Sequence, residues 1–206
     1  EGSGGGLYNS GTSTLTNSTI SENSTSFGGR GGGLAVAYGA TLDLSNSTIS
    51  GNSAYNSGGL ENYGTATLTN STISGNSALD GGGGLRNLGT ATLTNITISG
   101  NNAYFGGGFY NSSTANLTNS TISGNYAYNG GGIETTGGTV TLTNSIILGN
   151  SIAPSLDQAP SGAPLISEAT SIADVNGLVT SITSLTSGVA SDVFAALDSL
   201  GGGLLA

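Results

Sequence analysis

Apolar and polar residues follow one pattern that recurs six times between residues 4 and 150, at separations of 24 to 27 residues. In "TATLT" (65–69) hydroxyl and apolar residues alternate, so Ala66 and Leu68 face one side of a strand and the threonines face the other. The flanking pieces "GGLENYG" (58–64) and "STISGN" (71–76) are also short, rich in strand formers and bounded by Gly or Asn. The pattern predicts three short strands per repeat and shows no helical spacing.

A winding chain is the economical way to connect these strands. No piece between them is long enough for a crossover helix, so parallel pairing must come from one repeat coiling onto the next. We therefore predict an all-β, parallel β-helix (solenoid) of about six coils over residues 1–150, followed by an irregular, partly helical tail over residues 151–206.

In such a solenoid, residues one repeat apart become neighbours at about 4.8 Å. Three apolar columns then form the core. The predicted core columns are Leu7, Leu34, Leu60, Leu85, Phe109, Ile133; Leu15, Leu44, Leu68, Leu93, Leu117, Leu142; and Ile20, Ile49, Ile73, Ile98, Ile122, Ile147.

Asparagines form two further columns, whose amides can hydrogen-bond along the stack and satisfy polar groups at the bends. The first predicted ladder is Asn23, Asn52, Asn76, Asn101, Asn125, Asn150, and the second is Asn17, Asn46, Asn70, Asn95, Asn119, Asn144. Several of these lie in Asn-x-Ser/Thr sequons, and we expect Asn111 and Asn116 to be the sequon residues freest to carry a glycan.

Composition narrows the function classes. The 206 residues include 38 Gly, only 6% charged residues and a net charge of -9, with no Cys, Met, Trp or His. Nucleic-acid binding requires clustered Lys and Arg, whereas this chain has only Arg30 and Arg86. No apolar run approaches the roughly 20 residues that span a bilayer. We read the chain as a mature or trimmed product without a signal peptide.

A family resemblance is carried by the "GGGL" and "GGL" steps together with "ISEN" (20–23) and the "ISGN" segments at 49–52, 73–76, 98–101 and 122–125. These resemble the repeats of polymorphic outer-membrane-protein-like, autotransporter-like passengers, which pair a Gly-Gly-Ala-aliphatic step with Phe-x-x-Asn. The present repeats have Gly for Ala and Ile for Phe. The resemblance implies a right-handed parallel β-helix on a secreted or cell-surface protein, often adhesive.

The tail departs from the repeat. Residues 151–166 contain all three prolines, which predicts an irregular strap, and apolar steps of three and four from Leu178 onward favour an amphipathic helix. The tail is expected to cap the solenoid or to join it to a neighbouring molecule. The residues proposed for such an assembly contact are Val193, Phe194, Leu197, Leu200, Leu204 and Leu205.

Catalytic chemistry has little support in the sequence. Glu61 and Arg86 occupy equivalent positions of successive coils, which indicates a cross-strand ion pair. Asp43 and Asp80 stand singly and are expected to be solvated. We expect no catalytic residues, no metal site and no cofactor.

Two surfaces are candidates for binding. The outward threonines would form a regular lattice similar to the ice-binding faces of β-solenoid antifreeze proteins, although Thr also simply suits a solvent-facing strand. The possible binding face comprises Thr65, Thr67, Thr69, Thr90, Thr92, Thr94, Thr139, Thr141 and Thr143. Tyr55, Tyr104 and Tyr128, with Leu79 between them, predict an aromatic column.

From these features we predict an extracellular or cell-surface structural protein that is not an enzyme. It would self-assemble end to end into a filament or stalk, with itself as the main partner. The alternative is a surface adhesin or an ice- or glycan-binding module that uses the Thr face, and a polysaccharide-active enzyme is the third hypothesis.

Overall fold

The chain forms an all-β solenoid of about six coils. The computed structural model describes residues 4–25 and 28–152, together with the backbone of residues 172–173 and 179–180. Four sheets, here named A to D, run along the axis, and within the described residues no segment is helical. Strands are numbered β1 to β25 in chain order.

Sheets A and B hold the first two strands of each coil. Sheet A consists of β1 (Leu7–Asn9), β4 (Leu34–Val36), β8 (Leu60–Asn62), β12 (Leu85–Asn87), β16 (Phe109–Asn111) and β20 (Ile133–Thr135). Sheet B consists of β2 (Thr12–Thr16), β5 (Thr41–Ser45), β9 (Thr65–Thr69), β13 (Thr90–Thr94), β17 (Thr114–Thr118) and β21 (Thr139–Thr143).

Sheets C and D complete the coil. Sheet C consists of β3 (Thr19–Ser21), β6 (Thr48–Ser50), β10 (Thr72–Ser74), β14 (Thr97–Ser99), β18 (Thr121–Ser123) and β22 (Ser145–Leu148), extended by β24 (Ile172–Ala173) and β25 (Val179–Thr180). Sheet D consists of β7 (Ser53–Ala54), β11 (Ser77–Ala78), β15 (Asn102–Phe105), β19 (Tyr126–Asn129) and β23 (Ser151–Ile152).

Sheet D adds a fourth strand to the coils, whereas the sequence predicted three strands per coil. Its strands are short, with only two residues in β7 and β11, and follow directly after the bend that ends sheet C. A two-residue segment has no readable alternation, and here strand geometry comes from pairing with the coils above and below. A single parallel bridge between Ser24 and Ser53 continues this sheet into the first coil.

The predicted register is confirmed. Leu60 pairs with Leu85, Leu68 with Leu93, and Ile73 with Ile98, each in a parallel ladder of successive coils. Equivalent positions of the repeat therefore lie beside one another in space.

The apolar columns form one continuous core. In the four middle coils every predicted core residue is at most 1% exposed, from Leu34 to Ile122. The columns open at the ends of the described solenoid, where Leu7, Leu15 and Ile20, and likewise Ile133 and Leu142, are only partly buried.

Tight bends separate the sheets. Between sheets B and C the second asparagine column adopts left-handed backbone, with φ near 50° at Asn17, Asn46 and Asn70. Between sheets C and D a glycine takes this conformation in every coil except the first, where Glu22 has a φ of 57°. Asn tolerates this region better than other side chains and Gly occupies it without strain.

The first asparagine ladder is confirmed and buried. In Asn101, Nδ2 donates to the carbonyl oxygen of Ile73 and to Oδ1 of Asn125, both at 2.9–3.0 Å. Its own Oδ1 accepts from the backbone N–H and the Nδ2 of Asn76. Each amide thus satisfies backbone groups of the bend as well as its neighbour in the ladder.

The described part of the tail is made of strands. β23 still pairs with β19, and β24 runs antiparallel to β22, with Ile172 opposite Ile146. β25 pairs with β24, so Val179 and Thr180 form a strand where the apolar spacing predicted the start of a helix. Both are β-branched, which favours extended backbone once a partner strand is present. The six predicted assembly residues from Val193 to Leu205 lie outside the described residues.

Candidate binding surfaces and the charged cluster

The outward side of sheet A carries most of the charge in the described chain. The middle residue of each strand points away from the core and stacks with its equivalent in the next coil. This column reads Tyr8, Ala35, Glu61, Arg86, Tyr110, Glu134.

Glu61 and Arg86 form the predicted ion pair, but in a buried setting. Nη1 of Arg86 donates to Oε1 of Glu61 at 2.9 Å, and the Glu61 side chain is 0% exposed. The backbone N–H of Gly31, from the corner that precedes sheet A, donates to Oε2 at 3.3 Å. The pair therefore fixes this corner to two strands of sheet A.

Three more side chains enclose the pair, and we call the set of Arg30, Glu61, Tyr63, Asp80 and Arg86 the charged cluster. The Arg30 guanidinium lies over the Tyr63 ring at 4.5 Å, and Tyr63 hydrogen-bonds Glu61. Asp80 Oδ2 lies 3.9 Å from Nη2 of Arg86, so the expectation that Asp80 stands alone is wrong. The corner of the third coil brings Asp80 back over sheet A, which linear spacing does not reveal.

Burial dominates the electrostatics of the cluster. Removal from water raises the pKa of Glu61 above its ordinary value of 4.5, although Arg86 and the Gly31 N–H favour the ionised form. Burial also raises the pKa of Tyr63, and the negative charge of Glu61 adds to this effect. With no exposed surface, Glu61 acts as a link between coils in this geometry.

The Thr face is the outward side of sheet B. Its residues alternate with core-facing residues, which are buried Ala and Leu in β9, β13 and β17, and stand in register through all six strands. All nine threonines of the possible binding face are exposed or half-buried. Asp43 and Asn116 interrupt the central column, and both are exposed. Binding of ice or glycan by this face stays a prediction, which thermal hysteresis and glycan-binding measurements would test.

Sheet D and the residues directly after β7 and β11 present a tyrosine ribbon, which we define as Tyr55, Leu79, Tyr104, Tyr126 and Tyr128. The Tyr104 and Tyr128 rings stack with centroids 4.8 Å apart and planes 14° apart, as the predicted aromatic column requires. Tyr104, Tyr126 and Tyr128 are each about two-fifths exposed, and Leu79 is 71% exposed. Tyr126 lies beside Asn102 in a neighbouring column and was not part of the prediction.

A third asparagine ladder was missed in the sequence. Asn62 Nδ2 donates to Oδ1 of Asn87 at 2.8 Å, and Asn87 Nδ2 donates to Oδ1 of Asn111 at 2.9 Å. Asn111 is fully buried, so the expectation that it is free for glycosylation is wrong, whereas Asn116 is exposed. The signal was the Asn that recurs two residues after Leu60, Leu85 and Phe109, at the end of each of these sheet A strands.

Within the described chain, no three His, Cys, Asp or Glu side chains are grouped so that they could hold a metal ion. The part that the structure describes also contains no helix long and apolar enough to cross a membrane.

Comparison with known families agrees with this geometry. The chain matches the family model described as the right-handed beta helix region over residues 3–173, and it therefore belongs to the right-handed β-helix family. No curated protein and no solved structure gives a significant match.

Proposed function

We propose that this chain is a non-catalytic module of an extracellular surface protein, and that it binds an extended, neutral polysaccharide through the tyrosine ribbon. The observation that carries the proposal is the grouping of three exposed tyrosines and the exposed Leu79 along one sheet. Monomeric proteins seldom expose such patches without a binding role.

The chemistry of the ribbon suits a sugar chain. Tyrosine offers a large, rigid apolar ring and a hydroxyl, and orders on binding at low entropic cost. The mutual stacking of Tyr104 and Tyr128 already fixes both rings. Successive coils present equivalent groups about every 4.8 Å. This repeat is close to the length of one sugar unit in an extended glycan lying along the axis.

Charge supports a neutral ligand. The ribbon itself carries no charged residue, and the whole chain has a net charge of -9. Such a field repels acidic polymers at low salt. Of the two arginines in the chain, Arg86 is compensated by acidic side chains, because it pairs with Glu61 and approaches Asp80.

An extracellular, adhesin-like setting is part of the proposal. It is supported by the resemblance of the "GGGL" and "ISGN" repeats to autotransporter-like passengers. A surface wetted by hydroxyls and amides, with few reactive side chains, also suits such a setting.

Affinity electrophoresis in gels containing soluble neutral glucans, mannans or xylans tests the binding. We expect retardation by at least one of these polymers. Tyr104→Ala and Tyr126→Ala should each weaken the binding at least tenfold. On long incubation with the polymer, the wild type should release no reducing ends, as expected of a module that does not cut the chain. Tyr38→Ala is the matched control, because Tyr38 is 91% exposed but lies away from the ribbon, after sheet A. Equal retardation of all variants, or none for the wild type, would contradict the proposal.

End-to-end assembly into a filament or stalk is a second candidate. Within the described residues no strand covers the outer edge of β1, β2 or β3, and Leu7, Leu15 and Ile20 are partly exposed there. Such an edge can pair with another chain. At the C-terminal end of the solenoid, β24 pairs antiparallel with β22 and so occupies the edge of sheet C. This counts against edge pairing with another chain at that end of sheet C.

Negative-stain imaging and light scattering of the concentrated protein test assembly. Fibres one solenoid wide, lost when Thr14→Pro blocks the edge strand β2, would favour a filament. Monodisperse single chains at high concentration would rule against it.

A further inference from the structure

Two tyrosines of adjacent coils stack on the outward side of sheet D. The rings of Tyr104 in β15 and Tyr128 in β19 have centroids 4.8 Å apart and planes 14° apart. The backbone holds them in this arrangement, because the preceding residues, Ala103 and Ala127, are register partners. The two rings therefore face each other across neighbouring coils, at the usual spacing of paired strands.

Both rings of this stack reach solvent. Tyr104 is 46% exposed and Tyr128 is 38% exposed, so an oxidant in water can reach them and their hydroxyl protons can leave to water. Exposed side chains rotate within picoseconds to nanoseconds. The two rings can therefore adopt the geometry that a bond between them requires without movement of the backbone.

The composition of the chain directs oxidation to tyrosine. Thiols and thioethers are the side-chain groups that oxidants attack most readily, and indoles compete with phenols for one-electron oxidation. The chain contains no Cys, Met or Trp, but it contains 8 Tyr. A radical formed on this protein is therefore not diverted to sulfur or to an indole, and it forms on tyrosine.

We propose that Tyr104 and Tyr128 are an oxidative cross-linking site, which a haem peroxidase with hydrogen peroxide converts to dityrosine. Each phenol gives one electron to the oxidised haem and its hydroxyl proton to water. The two phenoxyl radicals couple through a new C–C bond between the ring carbons ortho to each oxygen. The hydrogens on these two carbons then move to the oxygens, which restores both phenols. In sum the tyrosines lose two electrons and two protons, and one hydrogen peroxide takes up both and is reduced to water.

The cross-link joins two coils covalently in a chain that has no Cys. It closes the loop between residues 104 and 128, and such a loop restricts the unfolded chain as a disulfide does. The cross-linked protein should therefore unfold at a higher temperature than the untreated protein. This inference does not depend on glycan binding.

Treatment of the dilute protein with a haem peroxidase and hydrogen peroxide tests the site. We expect dityrosine fluorescence, a monomer mass lower by two hydrogens, and a thermolysin digest in which the peptides that contain residues 104 and 128 are joined. Tyr104→Phe and Tyr128→Phe keep a ring in the stack but cannot form the phenoxyl radical, so each should lower the yield several-fold. Tyr38→Phe is the matched control, because Tyr38 is 91% exposed and follows sheet A, and it should leave the yield unchanged.

Oxidation of the wild type in denaturant separates the geometry of the pair from the reactivity of tyrosine, and the yield there should fall to that of the two Phe variants. Four results would overturn the inference. They are a wild type that forms no dityrosine within one chain, equal yields in the wild type and Tyr104→Phe, a cross-link that maps to Tyr126 or Tyr38, and cross-linking that occurs only between molecules. Circular dichroism before oxidation checks that each variant is folded.

Discussion

Glu61 of β8 and Arg86 of β12 lie side by side in successive coils, joined by a 2.9 Å hydrogen bond between Nη1 and Oε1. The carboxylate is completely enclosed, while the guanidinium side chain is 17% exposed. A charge in this position is costly unless it is paired, and removing one partner leaves the other uncompensated.

The pH dependence of stability should report this burial. Since burial raises the pKa of Glu61 above 4.5, the folded chain binds this proton more tightly than the unfolded chain. The resulting stabilisation is complete below the unfolded-state pKa and is lost as pH rises through the folded-state pKa. The unfolding free energy of the wild type should therefore fall, relative to that of Glu61→Gln, as pH rises from below 4.5 toward neutrality.

Denaturant unfolding of both proteins across this pH range measures the difference. Asp43→Asn, which removes an exposed carboxylate of sheet B, controls for loss of one negative charge. A wild type that gains stability over Glu61→Gln with rising pH would show that the ion pair outweighs desolvation.

The buried asparagine ladder should contribute strongly to stability. Asn101→Ala removes the donor to the Ile73 carbonyl and the acceptor for the Asn76 N–H. Each buried polar group left unpaired costs about 1–3 kcal/mol, so we expect a loss of about 3 kcal/mol in unfolding free energy. Asn116→Ala, on the exposed side of β17, should change it by less than about 0.5 kcal/mol. Similar losses for the two variants would contradict the structural role of the ladder.

Close backbone approach explains one glycine of each corner. A Cβ at Gly83 would lie far inside van der Waals contact with the carbonyl oxygens of Gly107 and Asn102. We expect Gly83→Ala to destabilise the fold by about 3 kcal/mol, the upper end for overpacking, because backbone cannot rotate away. Gly11→Ala is the control, since its Cβ would meet nothing within 4 Å. Thermal unfolding of the two variants checks the contrast, and a tolerated Gly83→Ala would contradict the packing.

The first coil contains a residue with a strained backbone, and a substitution can relieve this strain. Glu22 adopts a φ of 57° where later coils have Gly51, Gly75 or Gly100. Left-handed backbone costs a non-glycine residue roughly 1–2 kcal/mol, so Glu22→Gly should raise the unfolding free energy by about 1 kcal/mol. Ser21→Gly, in the adjacent strand β3, should lower it. A destabilising Glu22→Gly would mean that the Glu side chain makes a compensating contact.

The strand register, the core and the asparagine ladder could be predicted from the sequence, because equivalent positions of successive repeats are neighbours in the fold. Leu68 and Leu93, Asn76 and Asn101, and Glu61 and Arg86 all follow from one alignment of the copies. Sheet D was not predicted, because a strand of two residues such as Ser77–Ala78 is too short to show an alternating pattern. The burial of Glu61 was not predicted because its contacts with Gly31 and Tyr63 come from residues outside the aligned column. Asp80 also lies outside that column, so its proximity to Arg86 was not predicted.

Stacking of equal repeat positions is the central claim, and a cysteine pair tests it most directly, because the chain has no native Cys. Thr67 of β9 and Thr92 of β13 are register partners on the outward side of sheet B. Their expected Cα separation of about 4.8 Å lies within the range that a disulfide spans. The Thr67→Cys, Thr92→Cys variant should form an intramolecular disulfide on mild oxidation, seen by mass spectrometry. The Thr67→Cys, Asn116→Cys variant, two coils apart, should not. Efficient closure of the second pair but not the first would contradict the account.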